Sequence, residues 1–307
     1  MAESQLRVGD EVAEALAEGR AVVALESTLL SHGLPAPSNL DVGRELERIV
    51  REQGAVPATI AVLDGRAVAG LTDAELQRVC DPANKLVKLS RRDLGPAYAL
   101  GVDGATTVAS TAAIADAAGI GVFGTGGLGG VHRGAQESWD VSADLGVLAE
   151  TPVTVVCSGV KSILDIPATL ELLETSSVPV LGYGTDRFPA FYLRDSGLDV
   201  PWRVDSAKDA AAVIGTHRAH VPGRAGVLLV NPIPVEHEMD RDLHDRLLAG
   251  GLAKLEREDV HGKDVTPALL EYFHTASEGV SLTANTELVK SNVRVAAEVA
   301  VALADRA

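Results

Sequence analysis

Lys161 follows the apolar run 153–157 and the small residues Ser158-Gly159-Val160, and a helical pattern begins at Ser162. That order reads as strand, turn and helix, which places the amine near a helix N-terminus. The positive end of the helix dipole and burial both disfavour an ammonium, so a lysine there suits nucleophilic work. A solvated surface lysine fits the same pattern. Glu26 closes the apolar run 21–25. The carboxyl ends of parallel strands customarily face a ligand crevice, and a carboxyl in that position suits general acid or base chemistry. An exposed strand-end carboxylate fits it equally.

Asp140 and Asp144 are four residues apart, with Ser142 and Ala143 between them. If the segment is helical, both carboxylates share a face and repel each other unless a cation or donors intervene. A hard divalent metal is then plausible, and a solvated acidic face is the alternative. The densest signal is the run Gly124-Thr125-Gly126-Gly127-Leu128-Gly129-Gly130-Val131-His132-Arg133-Gly134. Glycines let a backbone approach a ligand closely and turn its N–H groups inward, as phosphate-binding nests do. The run has neither the following helix and acidic residue of a dinucleotide site nor the Gly-Lys-Ser/Thr of a P-loop. A flexible turn fits it too, and His132 taken alone is more often structural. Lys88 ends an apolar stretch in Lys85-Leu86-Val87-Lys88-Leu89-Ser90-Arg91-Arg92, the one locally basic patch of the chain.

The elements that must hold these residues alternate short β-rich runs with longer runs of helical period, the pattern of βα units and a mostly parallel sheet. Strands are expected over 21–25, 86–89, 105–108, 120–123, 153–157, 178–181 and 226–230. Asp64-Gly65 between 59–63 and 67–70 is a strong two-residue hairpin signal. Ser38 is expected to cap a helix that ends before Gly54. Two helices are expected from Thr266 on, broken near Gly279, the second with an apolar stripe of Val289, Val293, Ala296, Val299 and Val301. That stripe suits packing on the body, and equally an interface between copies. Aromatics and two prolines interrupt the βα rhythm over 188–202. One continuous domain over 1–307 is the favoured organisation.

The 307 residues are 46% hydrophobic and 23% charged, as in an ordinary globular protein. A net charge of −16 repels a phosphate backbone, and 3% aromatics leave few stacking platforms, so no nucleic-acid partner is expected. An anionic small substrate requires a local cation cluster, which the basic patch supplies. The two cysteines sit in apolar runs and no apolar stretch reaches the roughly 20 residues of a membrane span, so a cytoplasmic protein with no membrane partner is expected.

Several segments, taken together and in order, carry a family resemblance: 25–35 (LESTLLSHGLP), 105–111 (ATTVAST), 124–134, 142–145 (SADL) and 157–165 (CSGVKSILD). They resemble the pseudouridine-5′-phosphate glycosidases, the indigoidine synthase A-like family, over nearly the whole chain and most weakly over 185–220. The resemblance implies a three-layer α/β/α sandwich with a mixed, mostly parallel sheet, assembled as a homotrimer. It implies reversible cleavage of the C–C bond of pseudouridine 5′-phosphate to uracil and ribose 5-phosphate. It makes Lys161 the covalent nucleophile, Glu26 the proton donor and Asp140 the ligand of manganese (Mn2+) or another divalent cation. Lys88, Val108, His132, Ser142, Ala143, Asp144 and Asn285 become substrate-contacting positions. A Schiff-base aldolase acting on another sugar phosphate, and a binding protein with no reactive amine, are the rival readings of the same residues.

Overall fold

The computed structural model describes residues 5–260 and 265–306. The strands are β1 (Leu6–Val8), β2 (Val22–Leu25), β3 (Val56–Leu63), β4 (Arg66–Ala69), β5 (Val87–Leu89), β6 (Gly104–Thr106), β7 (Val122–Gly124), β8 (Thr154–Cys157), β9 (Val180–Tyr183), β10 (Trp202–Val204) and β11 (Val227–Val230). The helices are α1 (Asp10–Ala17), α2 (Ser38–Glu52), α3 (Asp73–Cys80), α4 (Leu94–Leu100), α5 (Val108–Ala118), α6 (Ala135–Ser138), α7 (Ala143–Glu150), α8 (Ile166–Thr175), α9 (Ala207–His220), α10 (Arg241–Glu258), α11 (Val265–Ala276) and α12 (Val280–Ala304).

One sheet runs β1-β4-β3-β2-β7-β8-β11-β9-β10, with β6 joined to β3 and β5 to β6. Among the described residues only the β3–β4 and β3–β6 ladders are antiparallel. The central strands β2, β8 and β11 read VVAL, TVVC and VLLV and are buried at every residue. Such unbroken apolar runs belong to parallel strands covered on both faces. Helix α12 lies on β2, β7 and β8 and against α2 and α9, while α5 packs with α7 and on β2, β3 and β4. The fold is therefore an α/β sandwich with a mixed, mostly parallel sheet and helices on both sides.

The Asp64-Gly65 hairpin is present, with φ of 51° and 71° at its two central residues. Positive φ at both is what a type I′ turn demands. Of the expected strands, β2, β5, β7, β8, β9 and β11 begin one or two residues later than expected, and β3, β4 and β6 begin earlier. The 105–108 expectation fails in its last two positions, because β6 stops at Thr106 and Val108 is the first residue of α5. The run Val108-Ala109-Ser110-Thr111-Ala112-Ala113 follows its alanines into a helix despite its β-branched members. Ser38 lies inside α2, and its hydroxyl donates to the Pro35 carbonyl (2.8 Å) instead of capping. Strands β1 and β10 and helix α1 carried no sequence signal strong enough to predict.

Residues from the 188–202 stretch contribute to the main core. Phe188, Phe191, Tyr192 and Leu193 are buried in the main core. The break between α11 and α12 falls at Gly279, with φ of 90°. The apolar stripe of α12 is used within the chain: Val289, Val293, Ala296 and Val299 are all buried against the body. Its offer as an interface between copies is thereby withdrawn. Among the described residues no helix is long and apolar enough to cross a membrane.

Candidate active site

Strands β2, β7 and β8 are parallel neighbours, so their carboxyl ends open on one edge of the sheet. There a cavity of about 910 Å³ is lined by Glu26, Lys88, Val108, His132, Asp140, Ser142, Ala143, Asp144, Lys161 and Asn285. Residues spread over 260 positions of sequence thus meet at one place.

Glu26 stands one residue beyond β2. The Thr125 hydroxyl, one residue beyond β7, donates to its Oε1. Burial pushes the Glu26 carboxyl above the usual carboxylate range. The Lys161 ammonium and the Thr125 bond pull it down, Asp144 pushes it up and Lys88 pulls it down, each by less than burial does. A carboxyl of raised proton affinity, held by a hydrogen bond at a cavity wall, suits general acid or base work.

Lys161 is half-buried on the same wall. The expected helix from Ser162 is absent. Residues 161–165 form a turn, α8 begins at Ile166, and the Asp165 side chain caps it by accepting from the Ala168 N–H (3.0 Å). Lys161 therefore does not sit on a helix N-terminus. Its position comes from backbone lacing instead. The Leu128 N–H donates to the Gly159 carbonyl (2.9 Å), and the Lys161 N–H donates to the Leu128 carbonyl (3.2 Å). Gly159 has φ of 74°, and a Cβ there would press into the Pro189 carbonyl. Next to this loop, burial pushes the Cys157 thiol up to about 12, so it is no rival nucleophile.

Part of the glycine run is laced into the fold and is closed to an anion. Its N–H groups at Leu128, Gly129 and Val131 are spent on the Gly159 carbonyl, the Asp144 carboxylate and the Thr169 hydroxyl. The glycines serve close packing: a Cβ at Gly129 would stand 2.7 Å from Asp144 Oδ2. Asp140 and Asp144 do not share a helix face either. Asp140 lies in the extended link after α6, and Ser142 caps α7 by accepting from the Asp144 N–H (3.2 Å). Asp144 is buried, and its two oxygens accept from the Ala109 and Gly129 N–H groups, both at 2.9 Å. It staples the start of α5 to the glycine run.

His132 Nδ1 stands 3.6 Å from Asp140 Oδ2. Burial pulls the imidazole below its usual range, against the opposing pull of Asp140, so it is held as a neutral donor or acceptor. Among the described residues no group of three or more His, Cys, Asp or Glu is placed to hold a metal ion. Asp140, a third exposed on the cavity wall, still suits a hard ion of the magnesium or manganese kind. Such ions keep several waters and need only one or two carboxylates.

Lys88, Ser90, Arg92, Thr107 and Val108 gather on another part of the wall, with His32 close enough to Lys88 to have its pKa lowered, after burial, by that charge. This is the cation-rich patch an anion requires. Asn285, on α12, is 2% exposed, and its Oδ1 has no hydrogen-bond partner among the described residues. A buried acceptor left open on a cavity wall awaits a donor from a ligand or water. The site elements that sequence reasoning passed over are Thr125, hidden inside the glycine run, Thr107 at the start of α5, and Asn292. Asn292 is seven residues from Asn285, which places the two on one helix face.

Comparison with known proteins agrees with this geometry. The profile of a family described as "Indigoidine synthase A like protein" matches residues 11–302. The chain is 56% identical over 301 residues to a protein of Salinispora tropica named pseudouridine-5′-phosphate glycosidase, covering 98% of this chain and 93% of that one. A Streptomyces griseus protein of the same name is 56% identical over 297 residues, covering 96% and 91%. Among solved structures, the prealnumycin C-glycosynthase AlnA in complex with ribulose 5-phosphate superposes with a TM-score of 0.90 at 42% identity, covering 98% of this chain and 97% of that one.

Proposed function

From its membership of the indigoidine synthase A-like family, to which this chain belongs, we propose that it is an enzyme, a pseudouridine-5′-phosphate glycosidase. The reaction is reversible cleavage of the C–C glycosidic bond to uracil and ribose 5-phosphate. The observation that carries this reading is the pairing of Glu26, a buried carboxyl of raised proton affinity, with Lys161 on one cavity wall. That a neighbour at 42% identity holds a sugar phosphate supports a sugar-phosphate substrate here.

A C–C glycoside has no basic heteroatom at its leaving position, so the two-carboxylate route of O-glycosides does not transfer to it. Another electron source is required, and Lys161 is assigned to supply it. Its neutral amine attacks C1′, the C1′–O4′ bond breaks, and the proton that the attacking nitrogen gives up goes to O4′ as the ribose opens. The nitrogen lone pair then forms a C1′=N bond, the C1′–C5 bond breaks, and C5 takes a proton from Glu26, releasing uracil. Water hydrolyses the imine, which returns the Lys161 amine and ribose 5-phosphate.

Lys88 and the backbone at Val108 are assigned to the phosphate end, with Arg92 and Thr107 beside them. The segment Ser142, Ala143 and Asp144 contacts the substrate beside them, and Asp144 acts chiefly by holding the backbone at Ala109 and Gly129. His132 and the open acceptor of Asn285 are assigned to sugar hydroxyls or base edges. Asp140 would hold Mn2+ or another divalent cation, which when bound orients oxygen ligands and offsets negative charge. The working molecule is proposed to be a cytoplasmic homotrimer, a reading that rests on the resemblance.

The test is direct. Mixing the protein with uracil, ribose 5-phosphate and Mn2+ should yield pseudouridine 5′-phosphate. Borohydride added with ribose 5-phosphate should fix the imine as a stable adduct on Lys161, located by peptide mapping. Lys161→Arg should lose both label and turnover, because a guanidinium stays protonated. A label on Lys88, or full turnover in Lys161→Arg, would overturn the assignment. An adduct without condensation would favour an aldolase.

A further inference from the structure

Asn292 lies on α12 behind the cavity-lining residue Gly126 and is fully buried. Its Nδ2 donates to the carbonyls of Thr125 (2.9 Å) and Gly126 (3.2 Å) and stands 3.0 Å from Ser158 Oγ. Its Oδ1 accepts from Asn231 Nδ2 (2.9 Å) and, more weakly, from Ser158 Oγ (3.3 Å). One amide thus touches the first residues beyond three adjacent strands: Thr125 beyond β7, Ser158 beyond β8 and Asn231 beyond β11. Within the strands the sheet's own ladders already fix the spacing. Asn292 acts where those ladders end and the chains must diverge to form the cavity floor.

Each of two tethers leads to a reacting group. The Thr125 residue held by its carbonyl is the one whose hydroxyl donates to Glu26. Ser158 starts the loop that ends at Lys161, its N–H donates to the Gly126 carbonyl (2.9 Å), and its own carbonyl accepts from the Phe191 N–H (2.9 Å). An apolar residue at position 292 would fill the space but leave the Thr125 carbonyl unsatisfied at a strand end, where buried polar groups are costly. We propose that Asn292 is a positioning residue, which sets the Thr125–Glu26 pair and the Ser158–Lys161 loop at their working separation. This rests on the glycosidase reading above and adds a residue to its machinery.

The experiment is a double-mutant cycle in the cleavage direction, with Asn292→Ala, Thr125→Val and the double variant assayed on pseudouridine 5′-phosphate with Mn2+. A displacement of about 1 Å in a catalytic group costs up to roughly a hundredfold in rate. Asn292→Ala should therefore lower kcat by about tenfold or more, while KM stays within about threefold, because no group that touches the substrate has been removed. Since the Thr125 tether to Glu26 is disturbed in both single variants and the Ser158 tether only in Asn292→Ala, the double variant should lose less than the product of the single losses. Val293→Ala is the packing control: it melts lower than the parent and keeps the parent kcat. Asn292→Ser, which retains one donor, keeps the test alive if the alanine variant does not fold, and should show a smaller loss confined to kcat.

Losses that multiply in the double variant, a loss carried by KM, or a serine variant with the parent kcat would each overturn the proposal. A parent enzyme that cleaves nothing would overturn the glycosidase reading itself, a distinct result.

Discussion

If Glu26 delivers the proton to C5, cleavage must fail as pH rises through its pKa, and neighbours that tune that pKa must move the basic limb of the rate profile in opposite senses. Thr125→Val removes the hydroxyl that donates to Glu26 Oε1. That bond favours the carboxylate, so its loss raises the pKa and carries the limb to higher pH. A hydrogen bond to a charged group is worth about 1.5–3 kcal/mol, and one pKa unit corresponds to about 1.4 kcal/mol. The limb should move up by about one to two pH units. Asp144→Asn does the reverse. The Asp144 charge disfavours the Glu26 carboxylate, so neutralising it lowers the pKa and moves the limb to lower pH. The assay is kcat for pseudouridine 5′-phosphate cleavage followed by uracil release from pH 5 to 10, with Glu26→Gln as the variant in which the limb disappears. Limbs that stay in place, or that move the same way in both variants, would refute Glu26 as the titrating acid.

Two further outcomes follow from the site's construction. Asp140→Ala should fold with stability within about 1 kcal/mol of the parent, since a partly exposed carboxylate whose near partner is His132, at 3.6 Å, is removed. It should lose turnover and its response to added Mn2+, as a chelator should also do to the parent; full activity in the chelated parent would remove the metal from the mechanism. Gly159→Ala must adopt φ near 74° and press its methyl into the Pro189 carbonyl, so calorimetry should show a loss of at least about 1–3 kcal/mol together with most of the activity. A variant that melts like the parent would show that the loop before Lys161 yields freely.

The sequence announces the long, regular parts of this fold because the central strands are unbroken apolar runs and α2 and α12 carry strong helical stripes. It announces less where tertiary contact overrides local preference. Val108 looked like strand and is the first residue of α5, since the alanines that follow it decide the local structure. Lys161 looked like a helix start because a helical pattern begins at Ser162, yet α8 starts only after its cap Asp165 and the lysine is placed by a backbone bond to Leu128. Asp140 and Asp144 looked like one helix face, but the left-handed residue Trp139 (φ 56°) ends α6 just before Asp140, and α7 begins only after Ser142. Site membership was more legible than site geometry: the motif-borne positions line one cavity, although their spacing alone predicted the wrong local structure for three of them. Asn292 was missed for a different reason. A polar residue within an apolar helical stripe is visible in sequence, but what it bonds to is decided by strands 61 to 167 positions away.

The order of strands explains the arrangement of the reacting groups. Glu26 follows β2, Lys161 follows β8, and β7 lies between them in the sheet. Neighbouring strands are about 4.8 Å apart, so the acid and the amine spring from strands about 10 Å apart. That gap is wide enough to admit a sugar carbon between them, provided that nothing rises from the middle strand to fill it. The residues after β7 meet that condition: Gly126 and Gly127 line the cavity, and a Cβ at Gly127 would stand 2.6 Å from Phe191 and 3.4 Å from Lys161 Cγ. Thr125, the one residue there with a reaching side chain, points it at Glu26. The glycines that looked in sequence like a phosphate cradle are thus better understood as the floor of the gap between acid and nucleophile. The proposed reading gives phosphate binding instead to the cationic patch around Lys88 and the start of α5, so on that reading a bulky residue at Gly127 should damage the chemistry at C1′ before it damages recognition of the phosphate.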